Sequence, residues 1–280
     1  MNVATIAQRL FAGDLYYALG RFESVRRGYS LLCALVQNAE EPAVAPAALP
    51  TLFPRVSIDN ALAAIRRDSV SFGFDLPPDV LAGIQHFADT AECRERGREQ
   101  TFRRADVVRG RLADGTPLVH GLIDNPMRCA AVRRVCEDPV LVEAAGRFLG
   151  YRVRRVLPRV FWSFASGVSD DERRRRGQTI DWHFDVHDYN FISACFYLSD
   201  VDRGAGPHAL LRGSHTGKPA RMLLGSANAR DEEVFEHFGR DRVMVIEGPA
   251  GTGFLEDTSC YHKAMPPTER DRLMFQIWFS

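Results

Sequence analysis

The chain has 280 residues, enough to bury a substantial core as one large domain or as a core with a smaller appended region. Its 36 basic and 36 acidic residues cancel, so no global field draws in nucleic acid or an anionic membrane, and no stretch approaches the roughly 20 apolar residues of a membrane span. Six scattered cysteines lack any Cys-x-x-Cys spacing and the first residues do not form a secretion signal, so the expectation is a cytoplasmic protein with reduced thiols; a monomer or homodimer is expected.

Residues 1–40 read as helix. Ile6, Leu10, Leu15, Leu19 and Phe22, then Leu31, Leu32, Leu35 and Val36, fall at roughly helical spacing, as in an amphipathic cap packed on a larger core or a dimer contact. Glu41–Pro54 holds four prolines and reads as a linker. The expected division is a helical cap and linker over 1–54 and a main domain over 55–280. Within the latter, Ser57–Arg67 reads as a short helix with Ile58, Leu62 and Ile65 on one side, Asp68–Leu76 as β-prone, and Asp79–Ala91 as a second helix after Pro77-Pro78. Glu92–Arg104 is read as a solvated charged segment and Pro117–Met127 as a loop. Helix follows through Val132, Val135 and Val140–Phe148 and closes at Gly150.

From Tyr151 the texture changes to short β-rich runs separated by Gly, Pro and Asp. The first holds Val153, Val156, Val160, Phe161, Trp162 and Phe164; others lie near 179–185, 190–198, 208–212, 242–247, 252–257 and 271–279. That texture is of a sandwich or barrel, with a helical insertion over Ser226–Phe238. Arg173–Arg176, beside Asp170-Asp171-Glu172, reads as a solvated, self-paired loop.

Chemistry concentrates in two places. His183 and Asp185, two apart in Asp181-Trp182-His183-Phe184-Asp185, share one face of an extended segment. With a further histidine they would form the two-histidine, one-carboxylate arrangement that leaves positions open on a non-haem Fe(II). His262 follows a β-prone stretch late in the chain. Ten residues on, Arg272 opens a strand with Leu273, Phe275, Ile277 and Phe279 on one face and Arg272, Met274, Gln276 and Trp278 on the other. An inward arginine needs an anion, because an unpaired buried charge is very costly, and a dicarboxylate would supply one.

Between these ends lie Tyr197-Leu198-Ser199-Asp200-Val201-Asp202 and Gly206-Pro207-His208-Ala209-Leu210-Leu211-Arg212-Gly213-Ser214-His215. The order of these pieces with Trp182-His183-Phe184-Asp185, His262 and Arg272 resembles the phytanoyl-CoA dioxygenase-like family of Fe(II)/2-oxoglutarate-dependent oxygenases. The resemblance covers roughly residues 150–280 and departs from the family at Arg212, where proline usually precedes Gly-Ser-His. It implies a mainly β fold with flanking helices, a double-stranded β-helix or jelly roll. It also implies iron on His183, Asp185 and His262, catalysis there with O2, and Arg272 on the distal carboxylate of 2-oxoglutarate. Arg270 shares strand parity with Arg272 but still belongs to a polar turn. His187 either lines the cavity or is a structural histidine; His208 and His215 are expected to steady the turn, and His86, His120 and His237 to be ordinary residues. The implied reaction is hydroxylation of an unactivated C–H bond of a small metabolite, in secondary metabolism. The rivals are a non-catalytic jelly-roll binding protein and a cupin-type zinc enzyme.

Overall fold

The computed structural model describes residues 15–38 and 50–280. Its strands are β1 (Val70–Phe72), β2 (Glu92–Arg94), β3 (Thr101–Arg103), β4 (His120–Ile123), β5 (Val156–Ser163), β6 (Trp182–His183) and β7 (Ile192–Tyr197), followed by β8 (His208–Leu211), β9 (Asn228–Ala229), β10 (Val243–Ile246), β11 (Gly253–Glu256), β12 (His262–Ala264) and β13 (Arg272–Phe279). They form two antiparallel sheets. The larger runs β1-β11-β7-β13-β5-β4-β2-β3 and the smaller β10-β8-β12-β6-β9. From β6 onwards the chain passes back and forth between the sheets, the winding of a double-stranded β-helix, as the short-strand texture after Tyr151 predicts.

Pleat parity decides what each sheet buries. On β13, Leu273, Phe275, Ile277 and Phe279 pack outward against helices that include Ile65, Ile84, Val132 and Leu141. Met274, Tyr197, Leu210 and Phe254 fill part of the space between the sheets. On the far side of the smaller sheet, Trp182, Phe184, Ala209, Leu211 and Tyr261 pack under Met222, Val234 and Phe238. Each fully buried aromatic or aliphatic side chain contributes about 1.5–3 kcal/mol relative to exposure.

The outer helices begin and end where local chemistry dictates. Ser57 accepts from Asn60 N and caps the Ile58–Asp68 helix, which stops at Ser69 in the left-handed region. Asp138 accepts from Val140 N and Leu141 N and caps the Pro139–Leu149 helix, which ends on Gly150 at φ 80°.

Several expectations need correction. Pro117–Met127 contains β4, because Leu122 and its neighbours complete the edge of β5 despite Pro117 and Gly121. Glu92–Arg104 contains β2 and β3, whose alternation buries Cys93 and Phe102 under a charged exterior. Asp170–Arg175 is a short helix, with Ser169 as its cap. His262 starts a strand that the sequence reading had left out. The amino-terminal reading divides into helices Leu15–Leu19 and Glu23–Asn38, with Ile6, Leu10 and most of Glu41–Pro54 outside the described residues. Leu31, Leu32, Leu35 and Val36 are exposed, Leu35 to 70%. This cap docks through its other face. Arg26 bonds Asn190 and Asp257, Arg21 bonds the Leu223 and Gly225 carbonyls, and Tyr29 stacks on Tyr189 at 4.9 Å.

Candidate metal centre

β6 and β12 are antiparallel neighbours in the smaller sheet, and His183 and His262 are direct partners across that pairing. Both face inward, because Trp182 and Phe184 on one strand and Tyr261 on the other take the outward core. Their rings approach to 4.2 Å between centroids. The same parity turns Asp185 inward, and its N–H donates to the Thr258 carbonyl at 2.8 Å, which ties this turn to the chain just before β12.

The carboxylate sits between the imidazoles. Asp185 Oδ1 is 3.8 Å from His183 Nε2, and its Oδ2 is 3.7 Å from His262 Nε2. One ligand atom from each of the three residues lies within 4.8 Å of the others. His183 Nδ1 is 3.0 Å from the Asp181 carbonyl and His262 Nδ1 is 3.0 Å from the Cys260 carbonyl. A carbonyl only accepts, so each Nδ1 carries the proton and each Nε2 keeps its lone pair facing Asp185.

Electrostatics agree with that tautomer. Burial, reinforced by His262, lowers His183 to about 4. Burial alone would raise Asp185, but His262, His187 and His183 around it hold it well below the usual carboxylate range. A neutral His183, an ionised Asp185 and the Nε2 of His262 turned to the same point are the kind of donor set that a divalent iron accepts on one face.

A second potential ligand cluster, Glu256, Cys260 and His262, shares one histidine with the first. Its carboxylate is engaged by His208 at 2.9 Å, and burial beside Glu256 pushes the Cys260 thiol well above its ordinary value. A neutral thiol and an occupied carboxylate make this the poorer set. Cys195 is likewise buried and raised by burial, so neither sulfur is an activated nucleophile.

The triad opens into a cavity of about 260 Å³ between the sheets, whose lining includes Arg272, Met274, Gln276 and Trp278 from β13. A larger open depression of about 810 Å³ lies on the outer side around Trp182 and Asp231 and contains none of the three. Arg272 is 2% exposed. It donates to the Gly206 carbonyl and reaches Ser163 Oγ at 3.4 Å, while its Nε has no partner. Burial lowers its affinity for the proton, and it forms no ion pair with a carboxylate of the described residues. Gly206 stands at φ +76°, and a Cβ there would meet the Met265 carbonyl at 2.4 Å, so only glycine brings this carbonyl to the arginine. Arg270, by contrast, is exposed and paired with Asp202.

The other histidines divide. His187 lines the cavity, 3.4 Å from Asp185 Oδ2 and against Trp278 at 4.1 Å between centroids. His208 lines it as well, paired with Glu256, whereas His215 bonds Ser69 Oγ at 2.7 Å behind the sheet. His237 is exposed and bonds the Gly217 carbonyl; His86 is exposed. His120, read from sequence as ordinary, is a buried cavity residue whose Nε2 accepts from Arg96 N at 3.0 Å. Arg159 and Phe161 were also missed. The alternation Arg159, Phe161, Ser163 in β5 was the available signal, and it was masked by the β-prone residues on both faces of that run.

No protein-family model matches the chain, and no curated protein matches its sequence. Solved structures share the fold. The non-haem alpha-ketoglutarate-dependent epimerase SnoN from nogalamycin biosynthesis superposes with a TM-score of 0.56 at 17% identity, covering 80% of this chain and 83% of that one. EvdO2 from Micromonospora carbonacea var. aurantiaca, solved with 2-oxoglutarate, gives 0.55 at 13% identity, covering 82% and 93%. EctD from S. alaskensis, solved with 2-oxoglutarate and 5-hydroxyectoine, gives 0.54 at 16%, covering 86% and 85%. The mainly β, jelly-roll fold with flanking helices is common to all of them.

Proposed function

We propose that this chain is an Fe(II)/2-oxoglutarate-dependent oxygenase of the phytanoyl-CoA dioxygenase-like kind, acting on a small molecule. The observation that carries this reading is the facing pair His183 and His262, each with Nε2 turned to the ionised Asp185. The unpaired, buried Arg272 in the same cavity supports it. The likeness of SnoN, EvdO2 and EctD, described with alpha-ketoglutarate dependence or bound 2-oxoglutarate, supports the choice of cosubstrate.

In this reading the residues divide the work. His183, Asp185 and His262 hold Fe(II), and the Asp181 and Cys260 carbonyls fix the two ring orientations. Arg272 receives the distal carboxylate of 2-oxoglutarate as a charge-assisted partner, with Ser163 Oγ beside it. Phe161 and Met274 keep the intervening wall apolar and limit water. Held by these residues, iron would supply the coupling of 2-oxoglutarate decarboxylation by O2, giving succinate and CO2, to oxidation of an unactivated C–H bond, with hydroxylation as the proposed outcome. One likeness being an epimerase, the product is an assayed quantity.

The test is oxygen-dependent succinate formation by protein supplied with Fe(II) and 2-oxoglutarate. His183→Ala, Asp185→Ala and His262→Ala are expected to abolish it while circular dichroism remains that of the folded chain, since the β-core is buried without the ion. Full activity in any of the three variants would refute the triad. Turnover under nitrogen without 2-oxoglutarate would point to a zinc-type enzyme, and no turnover with retained ligand binding to a binding module.

A further inference from the structure

The cavity holds a second arginine that the oxygenase reading does not use. Arg159 lies on β5 directly opposite Gln276, whereas Arg272 lies opposite Ser163. Four residues of strand separate those registers, roughly 13 Å at the usual rise. The Arg159 guanidinium stays near its own register, 4.9 Å from the Trp278 ring centroid and 5.4 Å from that of Phe161. The two arginines therefore serve opposite ends of one cavity.

At its end, Arg159 is without a counterion. Its guanidinium makes no hydrogen bond or ion pair to any described residue, although the side chain is half-buried. Stacking on Trp278 and on Phe161, at 5.4 Å, engages the face of the guanidinium and leaves the N–H donors on its edge free. The acidic group it senses is Asp185, beyond ion-pair distance and already facing His183, His187 and His262. Arg96 also lines the cavity and adds like charge; burial, with Arg96 second, lowers Arg159 to about 10. Two cations that form no ion pair with any described residue make a site for an anion.

We propose, resting on the oxygenase reading, that the primary substrate carries one anionic group, a carboxylate or a phosphate monoester, which Arg159 binds at the end of the cavity opposite Arg272. Trp278 and His187 form the aromatic wall beside that group, 4.1 Å apart between ring centroids. A cavity of about 260 Å³ lies just below the usual range of ligand pockets, about 300–1,000 Å³, so the rest of the substrate is small. The anion then points the remainder of the molecule towards Asp185 and the iron.

The experiment uses calorimetry under nitrogen on full-length protein loaded with Fe(II) and saturating 2-oxoglutarate. Its probes are benzoate, phenyl phosphate and the neutral benzamide. Wild type is expected to bind at least one anionic probe about tenfold more tightly than benzamide, and the better of the two identifies carboxylate or phosphate as the group. Arg159→Gln should erase that preference, Arg159→Lys should keep part of it, and both should leave 2-oxoglutarate affinity within about twofold. Equal binding of all probes, no binding of either anion, or a preference that survives Arg159→Gln would overturn the proposal. So would loss of 2-oxoglutarate binding in Arg159→Gln, which would make Arg159 a cosubstrate residue. If metal-loaded wild type fails to bind 2-oxoglutarate, the oxygenase reading falls by itself; the same probes on metal-free wild type and Arg159→Gln then still decide the anion site.

Discussion

The Asp170–Arg176 segment and the cavity both concentrate charge, and they treat it in opposite ways. On the segment, Arg174 bridges Asp171 at 2.8 Å and Asp181 at 2.7 Å, Arg175 meets Glu172, and Arg176 meets Glu172 and Glu95. Acids occupy the first turn of this short helix and bases the last, as its dipole favours. Even buried Arg173 is satisfied, by Gln178 and the Phe164 and Pro267 carbonyls. In the cavity, Arg272 and Arg159 have no acidic partner among the described residues, and Asp185 faces histidines. A long run of arginines is therefore the less informative feature of this chain. What points to a ligand is a charge that the fold leaves both without its opposite and with donors unfilled, as at Arg272 Nε.

The comparison can be broken most directly at Arg272. Arg272→Ala is expected to raise the apparent KM for 2-oxoglutarate on the order of a hundredfold, since a desolvated charge-assisted pairing is lost. A change below about fivefold would mean that the cosubstrate carboxylate sits elsewhere. Next in size is a pH effect on the metal-free protein. Burial lowers His120 to about 4 from an ordinary 6.5, so the unfolded chain takes up the proton first as the pH falls. Its contribution to stability is complete above about pH 6.5 and is lost towards pH 4, a window that His183 shares. Thermal unfolding across that window should therefore fall less steeply in His120→Gln than in wild type; identical slopes would remove His120 from the account.

Smaller effects belong to the paired charges. Arg270→Ala should shift the 2-oxoglutarate KM by less than about fivefold, because its partner Asp202 is solvent-exposed like itself. Arg174→Ala should leave both KM and Tm at wild-type values. A strong loss of cosubstrate binding in Arg174→Ala would abolish the distinction between the two regions.

The sequence made the β-helix visible where strands alternate cleanly. β13 is the best instance: its apolar and polar faces read from the sequence are the outer core and the cavity wall of the structure. The short pieces were illegible for a physical reason. β9 has two residues and β12 three, too few for any period to register. β4 is formed by pairing with β5, which a local pattern containing Pro117 and Gly121 does not announce. The site followed the same rule. His183 and Asp185 were apparent from parity within one stretch, and Arg272 from parity on another. Their meeting with His262 came from the order of motifs rather than from any local signal. Arg159 and His120 could not be singled out, because what distinguishes them is the lack or nature of a tertiary partner. The exposed Leu31, Leu32 and Leu35 show the converse: helical spacing identified an apolar stripe, and Arg21, Arg26 and Tyr29 on the other face made the attachment.

The direct pairing of His183 with His262 gives the chain two unequal tolerances to changes of length. Residues 184–261 form a loop closed by that contact, and between β8 and β10 it makes two short helices on the outside of the smaller sheet, with β9 between them pairing beside β6. The entropy of closing a loop grows only with the logarithm of its length, about 0.6 kcal/mol for a doubling. A dozen residues added to the outer helices of that excursion, away from β9, would scarcely register at His183 and Asp185. A single residue inserted between His183 and Asp185 would instead reverse the pleat and turn the carboxylate into the apolar layer with Phe184. Diversification by insertion is thus open on the excursion and closed across three residues, so the protein's reach can change while its chemistry stays in register.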